Sequence, residues 1–533
     1  MNAIFLTQSG SLKMFHRLAD ALREPLDLHR VGFLVSHRKV FERYRRVAPV
    51  ICSDSYSLLK EWEVTQKGLN EPPDLNLIRK YEQELGDPYL WGSLVADRRI
   101  YHGAKSTFFQ DYPPRFDHPK MLGVLQAGLV GMDKLFDEIR PDFVGSFICV
   151  TLTEYLGYLF ARSRGIPFLN LRSTRIENYV TYGDSIFEPP ARIRKAYHHY
   201  VSGHTEGKWT REAREYIDFV QTDHARYDGV VSISTPSLRP SPSSVVRLPK
   251  TVVKGIKAEF NYRFRSEKDN HDPGVATPIL YTRLLKPLRV RWQELRLSSQ
   301  YVTMADLPAL DYAFFALHTE PEVTLSIHGR VFLNQIEVIR NLSQSIPVGM
   351  TLVVKEHPHA VGKRRLSYYR KILEIPNVRL ADPTLAPKIL IEHATLAANI
   401  AGSIAWEAVL RRTPAIVFGH TPYEFLPSSM LRRVADMNKL PEEIADLLES
   451  YEYRDDAVEA YVAATMSEST PINLYTTLLG REGVYSLEPD TVGSAGAWRR
   501  DIGRLAAYTI DTLRIRGFRV PGPSTSDPAQ SET

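Results

Sequence analysis

The sequence alternates short β-rich runs with amphipathic helical stretches, and it does so in two separate blocks. Neighbouring parallel strands need a long crossover between them, which a helix supplies, so this alternation predicts helices laid on parallel sheets. In the first block, residues 3–7 (AIFLT) read as a strand, Gln8-Ser9-Gly10-Ser11 as a turn, and 12–22 as a helix whose apolar face carries Leu12, Phe15, Leu18, Ala19 and Leu22. The run 31–35 (VGFLV) is the next strand. The pattern returns as a strand at 142–150, a helix bearing Leu152, Tyr155, Leu156 and Leu159, a Gly165-Ile166-Pro167 turn and a strand at 168–171.

The second block starts with YAFFALHT (312–319), continues through a helix near 334–342 and a strand at 350–356, and ends with AIVFG (415–419). These strands are continuous apolar runs, as expected when both faces of a parallel sheet are covered. Between the blocks lie helical stretches rich in Arg, Tyr and His and a Ser/Pro-rich segment, 235–249, whose prolines exclude a helix. The division predicted is an amino-terminal domain over 1–230, a linker with a basic helical segment over 231–305, a carboxyl-terminal domain over 306–490, a helix over 491–520 and a disordered tail over 521–533. A chain of 533 residues has ample length for such a pair of domains.

Composition narrows the function classes. Lys and Arg number 67 against 62 Asp and Glu, a balance that gives no footing for nucleic acid as a partner. The two cysteines, Cys52 and Cys149, lie far apart without metal-ligand spacing, which fits a reducing compartment. The opening MNAIFLTQSGS does not match a secretory leader, so the expectation is a cytoplasmic protein. The stretch from Tyr281 to Leu297 interleaves Leu284, Leu285, Leu288, Trp292 and Leu295 with Arg283, Lys286, Arg289, Arg291 and Arg296. It reads either as a packed helix with a solvated basic face or as a peripheral contact with an anionic membrane surface, which would place the protein at the inner face of the cytoplasmic membrane.

Polar residues gather three times at the ends of second-block strands, where open parallel sheets bind ligands. After YAFFAL comes HTEPEVTLS (318–326), in which Glu320 and Glu322 flank Pro321; one of them would serve as a general base or a sugar-orienting acceptor, or both are surface carboxylates. After MTLVV comes Lys355-Glu356-His357-Pro358, whose imidazole is either a donor to a phosphate oxygen or a satisfied structural histidine. After LAANI comes AGSIAWEA (401–408): Gly402-Ser403 precedes a helical pattern whose free N–H groups suit an anion, with Glu407 one turn on, and the bland alternative is that Ser403 caps the helix while Glu407 faces water. No Walker loop, HExxH or His/Cys cluster occurs, and QSGS (8–11) lacks the spacing of a dinucleotide fingerprint, so neither a metal nor another cofactor is expected.

Taken in order, these three segments resemble the bacterial capsular polysaccharide biosynthesis family, which includes the β-Kdo transferases. That family shows a Gln-Pro-Glu motif followed by small hydroxylated residues, a Lys-Glu-His-Pro strand end, and a Gly-Ser or Ser-Gly turn running into Trp-Glu-Ala. Here they stand as Glu320-Pro321-Glu322 with Thr324, Lys355 to Pro358, and Gly402-Ser403 to Trp406-Glu407-Ala408, followed by TPAIVFGHTPY (413–423). The resemblance covers roughly 310–425 and departs at Glu320, where the family has glutamine.

The resemblance implies an α/β, GT-B-like architecture of two Rossmann-like parallel-sheet domains facing across a cleft. It implies a glycosyltransferase of surface polysaccharide synthesis that takes a nucleotide-sugar donor, CMP-linked as in CMP-Kdo, and a glycan or glycolipid acceptor. His357 and Ser403 would then contact the donor phosphate, Glu407 the ribose, and Glu322 would shape the donor site, with Lys355, Pro358 and Gly402 beside them and Glu320 as the departing position. On the acceptor side, position alone nominates Ser9, Gly10, Glu154, Arg172 and Arg175, with surface salt bridging as the other reading of the two arginines. Three rival functions stay open on the same scaffold: a CDP-polyol glycerophosphotransferase, a nucleotide-sugar epimerase and a non-catalytic assembly protein.

Overall fold

The computed structural model describes residues 1–8, 10–87, 89–101, 116–203, 207–222, 227–229, 253, 256–257, 260, 286–320, 322, 324–482 and 484–518. Ser9, Pro321, the Ser/Pro-rich stretch 235–249 and the tail 521–533 lie outside the described residues.

Six strands open the chain: β1 (Asn2–Thr7), β2 (Arg30–Val35), β3 (Tyr56–Lys60), β4 (Phe143–Ser146), β5 (Phe168–Ser173) and β6 (Tyr179–Gly183). Seven follow: β7 (Tyr301–Val302), β8 (Tyr312–Ala316), β9 (Thr351–Lys355), β10 (Val378–Ala381), β11 (Leu396–Asn399), β12 (Ala415–Val417) and β13 (Leu431–Arg433); β14 (Thr470–Pro471) comes last. They form two seven-stranded sheets, ordered β14-β6-β5-β4-β1-β2-β3 and β13-β12-β11-β8-β9-β10-β7. The second is parallel throughout, while the first is parallel from β3 to β5 and antiparallel at β6 and β14. The α/β class with two parallel-dominated sheets is thus the one the alternation predicts.

The period of two along each strand sorts side chains onto opposite faces. Tyr312 and Phe314 enter one core with Val353 and Ala397, whereas Ala313 and Phe315 enter the other with Leu352, Val354 and Ala398. In the first sheet Phe5 sits opposite Phe33 on one side and Gly145 on the other. A Cβ on Gly145 would lie 2.7 Å from the Phe5 ring, so the aromatic stack of Phe5 on Phe15 and Phe33 needs glycine there.

The packing divides the chain differently from the predicted boundaries. Helices Ala191–Gly203 and Lys208–Thr222 fall within the expected amino-terminal domain, yet their buried Ile193, Tyr197, Ala213, Tyr216 and Val220 join the core of the second sheet, against helix Asp455–Ser467. Conversely, β14 pairs with β6, and helix Ala495–Ile515 packs on helix Ser11–Arg23. The reason is apolar complementarity: Ile502, Leu505 and Leu513 complete the core of Phe15, Leu18 and Leu22, which the first 230 residues leave one-sided. The strand expected over 142–150 ends at Ser146, and Pro287 is accommodated in helix Lys286–Leu297 as its second described residue.

Candidate active site

Strands β11, β8 and β9 are neighbours, so the three sequence motifs that follow them emerge side by side at one sheet edge. The loops after β4 and β5 of the first sheet face them. Between the two lies a cavity of about 180 Å³, whose wall includes Cys149, Arg172 and Arg175 from the first sheet and His328, Gly402, Ser403, His420 and Tyr423 from the second.

The end of β9 is braced by charge. Glu356 is buried, accepting from Arg364, from the Tyr369 hydroxyl at 2.7 Å and from the His357 N–H at 2.7 Å. Arg364 also reaches Glu320, at 3.6 Å, and donates to the His318 carbonyl. Glu320 additionally accepts from Gln335. The extra carboxylate at the departing position therefore has a guanidinium and an amide facing it, and does not confront a ligand bare. Lys355 is buried with its ammonium donating to the Pro383 carbonyl at 3.1 Å, and burial brings its pKa down to about 8. His357 is half-buried and opens the turn Pro358–Ala360, accepting at its carbonyl from Ala360 N–H at 2.7 Å. Neither residue, nor Pro358, borders the cavity.

Gly402 does border it, at φ +113°, and its carbonyl accepts from the Tyr423 hydroxyl. Ser403 precedes a helix of only seven residues, Ile404–Leu410, and makes no side-chain cap. Its hydroxyl instead bonds the Glu407 carboxylate, whose pKa burial raises while Ser403, Arg411 and Arg175 pull it back.

Arg172 and Arg175 follow from the way β5 ends. Arg172 donates to Asn170 Oδ1 at 2.7 Å, to the Glu188 carbonyl at 2.9 Å and to the Ser185 carbonyl. These acceptors are neutral, so the surface salt bridge considered from sequence is not what holds it, and burial depresses its pKa to about 10. Arg175 takes a left-handed backbone, φ +61°, a conformation that costs an arginine energy and recurs at functional sites. Burial works against its charge, but Tyr227, Tyr475, Tyr423 and Glu322 outweigh that and hold its pKa above the ordinary value. Glu322 is open to solvent at its loop, yet the protein around it raises its pKa, with Arg175 and Arg98 opposing.

Two acceptor-side nominations sit elsewhere. Gly10 lies against the Leu479 backbone, where a Cβ would come within 3.2 Å of the carbonyl oxygen. Glu154 is buried in a capping box, accepting from Val150 and Thr151 N–H at 2.9 and 3.1 Å, and burial raises its pKa to about 8.

Three histidines were not nominated from sequence. His318 and His328 are pushed down to about 3, chiefly by burial, and so are neutral. His318 Nε2 accepts from Ala401 N–H at 3.3 Å, next to Gly402, and is also close enough to His357 for each charge to oppose the other. His420 contacts Glu424 at 3.4 Å and Arg433 at 3.1 Å. His318 and His420 both stand inside the motifs, at the first position of HTEPEVTLS and within TPAIVFGHTPY, beside carboxylates and strand residues.

No family model matches this chain, and no curated protein does either. Among solved structures, the β-Kdo 2,4 transferase KpsC of Thermosulfurimonas dismutans superposes with a TM-score of 0.33 at 13% identity, over 61% of this chain and 79% of that one. The β-Kdo 2,7 transferase of the same KpsC gives 0.28 at 8% identity, over 63% and 80%. A UDP-GlcNAc 2-epimerase from Methanocaldococcus jannaschii gives 0.24 at 13% identity, over 87% and 97%. Superpositions this loose assign neither family nor function.

Proposed function

We propose that the protein is a glycosyltransferase that draws its sugar from a nucleotide-linked donor bound in the cavity between the sheets. One observation carries this reading: Arg172 presents a half-buried guanidinium whose described hydrogen bonds all go to neutral oxygens, at a cavity wall shared with Arg175. A positive charge so placed is stabilised by a ligand anion, and a donor phosphate is the group a transferase must hold there. The ordered motif resemblance favours a CMP-linked donor and a glycan or glycolipid acceptor of bacterial surface polysaccharide.

In this reading the acceptor hydroxyl attacks the anomeric carbon, the bond from that carbon to the phosphate oxygen breaks, and the nucleotide leaves with the electron pair. Glu322, a loop carboxylate that feels the charge of Arg175, takes the hydroxyl proton. Arg172 and Arg175 at the cavity wall hold the phosphate as its charge grows, while Ser403 stays engaged with Glu407. Charge neutralisation by side chains alone predicts that turnover survives a chelator of divalent metals.

The test is a thermal-shift panel of CMP, CDP, UDP and GDP on the wild type and Arg172→Gln. At equal concentrations CMP or CDP is expected to stabilise more than UDP or GDP, by about 2.7 kcal/mol where it reaches a hundred times its dissociation constant, and the shift should collapse in the variant. Equal response to all four nucleotides, or to none, overturns the reading. UDP protection together with conversion of a UDP-sugar without acceptor would instead identify an epimerase.

A further inference from the structure

Helix Lys286–Leu297 has two apolar faces. Val290, Gln293 and Leu297 are buried against the carboxyl-terminal domain, with Gln293 donating to the Arg364 carbonyl at 2.6 Å and Arg289 to the Lys363 carbonyl at 3.1 Å. The opposite face carries Leu288, Trp292 and Leu295, which are 62%, 47% and 66% exposed. Their spacing of four and three residues puts them in one stripe. On the helical projection Arg291 borders that stripe on one side, and Arg296 and Arg289 border it on the other. The helix holds four cations, Lys286, Arg289, Arg291 and Arg296, against one carboxylate, Glu294, which Arg291 contacts at 2.9 Å. Lys363 adds to the positive charge next to it, its ammonium opposed by that of Lys286. Earlier in the connecting stretch, Val253, Ile256 and Phe260 are likewise exposed.

We infer that this face docks on an anionic lipid surface. An apolar stripe with a tryptophan, edged by arginines and fixed to a rigid domain, matches the chemistry of a bilayer interface: the acyl boundary takes the leucines and the indole, and the headgroup phosphates take the guanidiniums. A protein partner would have to bring a groove and matching carboxylates, whereas a bilayer supplies both halves of the complement at once. Among the described residues no helix is long and apolar enough to cross a membrane, so the contact is one of lying on the surface. Through Gln293 and Arg289 the helix is tied to the turn that carries Arg364, the brace of the β9 end, so docking would hold the cleft at a fixed height above the lipid. The inference stands apart from glycosyl transfer, because it needs no nucleotide.

The experiment is co-sedimentation of the full chain with vesicles of phosphatidylcholine alone and of phosphatidylcholine mixed with phosphatidylglycerol. Two variants accompany the wild type, L288S/W292S/L295S and R291E/R296E, together with size-exclusion chromatography and melting of all three. The replaced side chains are exposed, so melting temperatures should stay within a few degrees of wild type. The wild type should pellet with the anionic vesicles only, the charge-reversed variant should bind at least about tenfold more weakly, and the apolar variant should lose binding. No pelleting with either vesicle, equal pelleting with both, or binding of wild-type strength in either variant overturns the proposal. A wild-type dimer that L288S/W292S/L295S converts to monomer would show the face to be a self-interface, and would overturn it too. Since nucleotide protection is read separately, failure here leaves the donor-site reading standing, and the reverse also holds.

Discussion

Arg364 donates to Glu356 in a setting where neither side chain exposes more than 5% of its surface. The pair closes off the end of β9 and ties it to Glu320 on the neighbouring strand end. Removing one member leaves the other charged and buried, so Arg364→Met should lower stability by about 3–5 kcal/mol. The double variant Arg364→Met, Glu356→Gln should recover part of that loss. Urea denaturation of the three proteins measures it, and an unchanged midpoint in the single variant would show that the pair does not hold the strand end.

Acid should weaken the protein through His318 and His328. Both are neutral in the fold, with pKa values of about 3 against an ordinary 6.5, so the unfolded chain binds protons that the native one does not as pH falls below 6.5. Stability is therefore lost on acidification, on the order of 1 kcal/mol per pH unit for each histidine in that window. Urea midpoints at successive pH values read the slope, which should become shallower in His328→Asn.

The opposite sign applies to Glu154. Its pKa of about 8 lies above the ordinary carboxyl value, so between about 4.5 and 8 the native state keeps a proton the unfolded chain has released, and stability falls as pH rises through that window. Glu154→Gln keeps an acceptor for the Val150 and Thr151 N–H groups without the titration. Relative to wild type it should gain midpoint on going from pH 5 to pH 8, and parallel curves would refute the assignment.

Gly402→Ala forces a side chain onto a backbone at φ +113°, with the new Cβ 3.5 Å from His318. The strain should cost about 1–3 kcal/mol. Because Gly402 borders the cavity, nucleotide protection should fall beyond what the lower melting temperature explains, and a thermal-shift titration separates the two effects.

His357 stands outside the cavity wall, so His357→Ala should leave turnover nearly unchanged, and a fall of about 10²–10³ with melting temperature kept would instead make it a donor to the departing phosphate. Normal turnover in a destabilised protein would mark His357 as a packing residue.

Apolar periodicity made the sheets legible, because strands such as YAFFA and TLVVK are buried on both faces and show it as unbroken apolar runs. Motif order placed Gly402 and Ser403 at the cavity, and strand-end position placed Arg172 and Arg175 there. What stayed hidden depends on partners distant in sequence. Glu356 reads as one of two charged residues beside a histidine until Arg364 and Tyr369 fold onto it, and Glu154 reads as a cleft residue until Thr151 shows it to be a cap. The swap of helices between domains was equally invisible, since an amphipathic stripe such as that of Ala495–Ile515 does not say which of two cores it completes.

That swap sets an order of events during synthesis. The sheet begun by β1 receives β14 and helix Ala495–Ile515 only when nearly all of the 533 residues have been made. At roughly 5–20 residues per second, the apolar side of helix Ser11–Arg23 waits on the order of half a minute or longer for its cover. The half that leaves the ribosome first is thus the half completed last. A nascent chain stalled before residue 470 would show a chaperone the side of helix Ser11–Arg23 on which helix Ala495–Ile515 packs, while all strands of the second sheet, which end at Arg433, have already been made.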